Sequence, residues 1–135
     1  EFFQIVYDHL EENGVMVINI GRAPEDRRLL NSLYATINTI FPTLYVTDLS
    51  DSYNSVLFAT KQPTSVQNLI DNYALLYQDT STPPFVLQIL SHTYDGLQPP
   101  ASGGVVFTDD LAPVEQITNS MVLNFLLSGK VDALQ

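Results

Sequence analysis

The chain has no cysteine and no tryptophan, only five lysines and arginines among 135 residues, and no apolar run approaching the length of a membrane span. Without cysteine, neither a disulfide framework nor a thiolate metal site can form. Five basic residues cannot lay a stripe along a phosphate backbone, which argues against nucleic acid as a general partner. A membrane helix needs ~20 consecutive, mostly apolar residues, and the sequence shows no basic-then-apolar leader. The expectation is a soluble, cytoplasmic protein with no membrane partner.

What is present is acid. Fifteen aspartates and glutamates leave a formal charge of -10, and they are scattered rather than run together, as on a solubilising surface. Such a surface also suits a cationic ligand such as a polyamine. A chain of this size buries roughly two thirds of its unfolded surface, enough for a real core.

Glu1 opens directly into a helical pattern, with Phe3, Val6 and Leu10 on one face. Gly14 to Ile20 follows as a nearly continuous apolar strand, a pattern that predicts burial on both faces. Pro24 with Glu25 and Asp26 marks the next helix start. Leu29, Leu33, Ile37 and Ile40 form the core stripe of this helix, and Phe41-Pro42 stops it. Strands are predicted from Thr43 to Leu49 and from Asn54 to Thr60. The intervening helix makes a crossover, so the first two strands should be parallel and right-handed. The short link before Asn54 forces the third to turn back as a hairpin. A helix carries Val66, Leu69, Ile70, Tyr73, Leu76 and Tyr77 at helical spacing, and a shorter one runs from Phe85 to Leu90. A loop rich in proline and glycine then leads to a short extended piece, Val105 to Phe107. The last helix opens at Thr108–Glu115, with Val114, Ile117, Met121 and Phe125 inward. The fold class is therefore α/β: a three-stranded mixed sheet over residues 1–61, read as the rear half of a nucleotide-binding fold, with a helical extension over 62–135.

Two segments give this a family resemblance. Residues 2–21, FFQIVYDHLEENGVMVINIG, and residues 108–115, TDDLAPVE, are similar to stretches of bacterial spermidine synthase-like proteins, which share the S-adenosylmethionine-dependent methyltransferase fold. That fold ends in a reversed strand placed between its two predecessors. The resemblance implies a transferase of polyamine biosynthesis that moves an aminopropyl or methyl group from S-adenosylmethionine or its decarboxylated form to a small-molecule amine acceptor. It implies this chain as a fragment, and the unpaired apolar edge of the first strand leads to the expectation of a homo-oligomer. The family's catalytic aspartate and glycine-rich cofactor loop would lie ahead of Glu1, so no catalytic, cofactor-binding or metal residue is assigned here, and the chain alone is expected to be inactive. The first strand departs from the family by ending Asn19-Ile20-Gly21-Arg22, and residues 48–54 do not match its usual segment before the last strand. The alternative is a non-catalytic α/β module that self-associates through the edge of the first strand.

Candidate ligand-binding residues are few. Asn19, Gly21 and Arg22 sit at the carboxyl end of the first strand, the edge where open α/β sheets bind ligands. Arg22 can fork onto a carboxylate. The cluster Arg22, Arg27 and Arg28 is interrupted by Glu25 and Asp26, which predicts local neutralisation. Asp109 and Asp110 can hold a cation or an amine, but a capping role outweighs this. Thr108 or Asp110 would cap the last helix, with Pro113 and Glu115 in its first turn, each worth about 1 kcal/mol. His9 and His92 form no metal signature. Asp48, Asp51 and Asn54 lack the alternation and central glycine of a calcium loop.

Overall fold

The computed structural model describes residues 1–50, 52–108 and 111–128. Eight elements follow in order: α1 (Phe2–His9), β1 (Val15–Gly21), α2 (Arg28–Ile37), β2 (Thr43–Asp48), β3 (Asn54–Thr60), α3 (Val66–Gln78), α4 (Pro84–Asp95) and α5 (Val114–Leu127). The three strands are ordered β1-β3-β2. β3 pairs antiparallel with both neighbours, Gly21 opposite Asn54 on one side and Asp48 opposite Ser55 on the other.

The expected insertion of a reversed third strand is therefore present, but the mixed sheet is corrected. β1 and β2 run in the same direction without touching, because β3 occupies the space between them. Both ladders are antiparallel, and no parallel pair forms among the described residues.

One face of the sheet carries the core. Met16 and Ile20 from β1, Leu44 and Val46 from β2, and Leu57 and Ala59 from β3 meet Leu30 and Ile37 of α2, with Phe41 and Met121 closing the cluster. The expected two-sided burial of β1 does not occur. Its residues alternate, Met16 and Ile20 being 8% and 2% exposed while Val15 and Val17 are 47% and 56% exposed. The cause is position: β1 is a sheet edge, and the α3–α4 pair stands over the other face mainly opposite β2. Between Val15, Tyr45 and Phe58 of the sheet and Leu69, Leu90 and Leu97 lies an apolar fissure of about 380 Å³.

The two edges of the sheet differ. On β2 the segment after α4 adds backbone bonds, Asp48 N–H donating to the Gly96 carbonyl at 2.9 Å and Gln98 N–H to that of Val46 at 2.8 Å. On β1 no described backbone pairs with the outer edge. α1 packs Phe3, Val6, Tyr7 and Leu10 against the core. It is held by the Lys61 ammonium, which donates to the Leu10 carbonyl at 2.5 Å and lies 5.0 Å over the Tyr7 ring.

Several boundaries move from their expected places for local reasons. Pro24, Glu25 and Asp26 form a turn closed by Asp26 N–H on the Ala23 carbonyl, not a helix start. The Asp26 carboxylate instead accepts from the Arg28 amide at 3.1 Å, two residues on, and the helix begins there. α4 continues past Leu90 to Asp95, where the Thr93 carbonyl accepts from the Thr47 hydroxyl of β2 at 2.9 Å. α5 starts at Val114 with Pro113 as its N-cap residue, so Thr108 is not the cap. Asp109 and Asp110 lie outside the described residues. Of the four residues expected to point inward from α5, Met121 is buried, Ile117 packs on the core, Phe125 meets Tyr53 edge-on, and Val114 is exposed.

Val105 to Phe107 is extended, as expected, and joins no sheet among the described residues. It is a strap whose amides bond to side chains of α2: Val105 N–H to the Ser32 hydroxyl at 3.2 Å and Phe107 N–H to that of Thr36 at 2.8 Å. An extended segment offers its amides two residues apart on one side, and α2 meets them with hydroxyls spaced four apart. Ser32 and Thr36 are both buried, so these bonds satisfy groups that water does not reach. The strap approaches so closely that a side-chain carbon at Gly104 would collide with the Asn31 backbone.

Replacing the Thr36 hydroxyl by a methyl, Thr36→Val, leaves the Phe107 amide and the helix shape but removes the acceptor. A loss of about 1–3 kcal/mol is expected, read as a lower urea midpoint at unchanged slope. Gly104→Ala should destabilise at least as much, through the collision with Asn31.

Candidate functional site

The strand order brings the ends of β1 and β2 and the start of β3 to one edge. A charged cluster forms there on the core side. Asp48, the last residue of β2, is its centre. Arg27 donates to both carboxylate oxygens of Asp48, at 2.7 and 3.1 Å. The Ser55 hydroxyl of β3 donates to one of them at 2.6 Å. Arg22, immediately after β1, places its Nε 3.6 Å from Asp48 Oδ1, and its terminal nitrogen donates to the Ser52 carbonyl at 3.4 Å. The side chains of Arg22 and Asp48 are 14% and 19% exposed, and Arg22 Nε is buried without a hydrogen-bond partner.

Burial works against the ionised Asp48 carboxylate. The bonds from Arg27 and Ser55 and the charges of Arg27 and Arg22 outweigh it, holding the group below the ordinary 3.8 of an aspartate. Two guanidinium groups thus pin one carboxylate, tying the β1–α2 turn to the ends of β2 and β3. Arg28 behaves separately: Asp26 binds it at 2.6 Å, and that pairing depresses the Asp26 carboxyl. The expected local neutralisation of the arginine cluster is seen at Arg28, whereas Arg27 crosses to a partner 21 residues away.

Beside the cluster, the 23–28 turn and α5 enclose an open cleft of about 630 Å³. Pro24, Glu25 and Arg28 face Met121, Asn124 and Phe125 across it. The Arg28 terminal nitrogen bridges the two sides by donating to the Ser120 hydroxyl at 3.0 Å. The cleft walls combine charged side chains from the turn with apolar ones from α5.

The sequence candidates divide between two sides. Arg22 belongs to the cluster. Asn19 and Gly21 are exposed and project to the opposite face of the sheet, as strand alternation requires. The edge shared by these three residues is real, but a single surface is not. Space beside Gly21 is open, the nearest atom to an added side-chain carbon being Asn54 Oδ1 at 3.9 Å. Asp48 is not among the sequence candidates, because residues 48–54 invite comparison only with a calcium loop and with the resembled family's segment before its last strand, and match neither. Its signal is an acid closing one strand beside an arginine closing another, and it becomes visible once the two strand ends are known to meet. Among the described residues no group of three or more histidines and carboxylates is placed to hold a metal ion.

No family model matches the chain, and no solved structure matches it. It is similar to a curated protein described as a probable polyamine aminopropyl transferase from Bifidobacterium longum, 28% identical over 131 aligned residues. The match covers 85% of this chain and 29% of that protein, so the chain spans under a third of its relative's length. The similarity agrees with the family resemblance of residues 2–21 and 108–115.

Asp48→Asn should cost about 1–3 kcal/mol at neutral pH, because charged hydrogen bonds are lost around a partly buried pair. The depressed carboxyl makes the unfolded chain bind its proton first. Its stabilisation is therefore complete above the ordinary 3.8 and is lost as pH falls through the lower folded value. Urea unfolding across the acid range should show a shallower loss for the variant than for the parent. Parallel curves would remove Asp48 from the acid response.

Proposed function

We propose that this chain is the C-terminal part of a spermidine synthase-like transferase, built on the far end of a Rossmann-like methyltransferase sheet. The intact protein would move an aminopropyl or methyl group from an S-adenosylmethionine-type donor to an amine. The observation that carries this reading is β3, reversed and inserted between β1 and β2, the strand arrangement with which the fold of the resembled family ends. The curated relative's description supports it. So does the bare outer edge of β1, which suits further strands of a larger sheet.

The chemistry is displacement at a sulfonium carbon, which requires positioning and a base for the incoming amine. The described residues offer no glycine-rich turn followed by an acidic residue, so they do not fit a nucleoside-bearing donor. This chain would supply one wall of the acceptor pocket, the cleft between the 23–28 turn and α5 with Arg22 beside it, while Asn19 and Gly21 remain candidates on the other face of the same strand end. Asp109 and Asp110, for which a capping role outweighs a binding one in the sequence, are the further acids this proposal offers to an amine. A bacterial, cytoplasmic protein that assembles as a homo-oligomer completes the proposal.

A second reading, a self-association module, is favoured by the same bare edge. β1 has no charge, no proline and no bulge, and it exposes Val15 and Val17, features that invite strand pairing.

Two measurements separate the readings. Incubated with S-adenosylmethionine or its decarboxylated form and a panel of diamines, the intact protein should yield an alkylated amine by mass spectrometry, and the 135-residue chain alone should yield none. Absence of product with either donor retires the transferase. Light scattering of the chain tests the second reading, and a clean monomer at high concentration retires association through β1.

A further inference from the structure

We infer that Asn13–Gly14 is a site of spontaneous covalent modification, at which Asn13 loses ammonia and becomes aspartate or isoaspartate. It is the single Asn-Gly pair in the sequence. Asn13 is exposed in the turn that joins α1 to β1. The reaction is an attack by the Gly14 backbone nitrogen on the Asn13 side-chain carbonyl carbon. A bond forms between that nitrogen and Cγ, and the bond from Cγ to Nδ2 breaks. Ammonia leaves with the Gly14 amide proton, and a five-membered cyclic imide remains. Water opens the ring at either carbonyl, giving aspartate or isoaspartate with no change of oxidation state.

A bulky side chain on the following residue normally hinders this attack, and here the fold forbids one. A side-chain carbon at Gly14 would lie 2.8 Å from Leu10 Cβ and 2.9 Å from the Glu11 carbonyl oxygen. The close return of the chain from α1 into β1 therefore demands the very residue that leaves Asn13 open to attack. One bond opposes the reaction: Gly14 N–H donates to the Glu11 carbonyl at 2.9 Å. It closes an exposed turn, where local opening takes little free energy compared with the core, so the reaction proceeds from the opened turn.

The product has a structural consequence. The Leu10 carbonyl accepts from the Lys61 ammonium and the Gly14 carbonyl from the Lys61 amide, at 2.5 and 3.0 Å. Both ends of the 10–14 turn are thus tied to the residue that follows β3. Isoaspartate routes the main chain through an extra methylene between these two anchors and adds a negative charge beside Glu11 and Glu12. The seating of α1 on the core should loosen.

The test is to age the chain in mildly alkaline buffer at physiological temperature, resolve the acidic species by ion exchange, and map it by peptide mass. Expected is an acidic form located at Asn13, accumulating at least tenfold faster than conversion at any other asparagine, with a lowered Tm in the isoaspartate fraction. Asn13→Gln, an exposed change that needs a less favourable six-membered ring, should suppress it without altering the fresh protein's Tm. Asn13→Asp should carry the charge while keeping the parent's Tm, which separates the chain-lengthening effect from the charge. An acidic form that maps elsewhere, or that accumulates equally in Asn13→Gln, overturns the inference.

Discussion

The brevity of the link between Asp48 and Asn54 governs this molecule. A connection of that length can only send β3 back along β2. The helical crossover through α2 has already set β1 apart from β2 and pointing the same way. The gap between them has the width of one strand, and β3 fills it with Ser55, Leu57 and Ala59 fully buried. From that insertion follow the single-sided core, the meeting of three strand termini at one edge, and the clamp on Asp48. Ser55 is polar and fully buried, and its hydroxyl is spent on the Asp48 carboxylate.

The clamp shows how charge is used in a chain that is mostly acid. Three of its five cations lie within seven residues, 22 to 28, and the fold distributes them unequally. Arg28 is satisfied by its neighbour Asp26, an exposed pairing of small energetic weight. Arg27 and Arg22 converge on one carboxylate, where partial burial makes the geometry consequential. The turn they anchor is one wall of the cleft against α5, so the ion pairs act on the candidate ligand surface by holding its backbone in place.

Much of the architecture was legible in the sequence. β3 was read to the residue, β2 to within one, and the reversal of β3 followed from loop length alone. The readings that changed share a cause: they depended on what lies across space. The apolar run of β1 suggested two covered faces, and only its place at the sheet edge leaves Val15 and Val17 open. The turn at Pro24 resembled a helix start until Asp26 was seen capping the Arg28 amide. Val105 to Phe107 is the extended piece its composition suggests, but its amides find hydroxyls on α2, a partnership invisible in the segment itself. The partnership of Arg27 with Asp48 spans two elements and leaves no mark at any spacing within one.

The unlike treatment of the sheet's two margins gives the unit a polarity. On the β2 side, Gly96 to Gln98 already occupy the outward hydrogen-bonding positions of Val46 and Asp48, at the carboxyl end of the strand. Growth is blocked there by the chain itself. A larger sheet that incorporates these three strands has its open margin at β1, where no described backbone stands in the way.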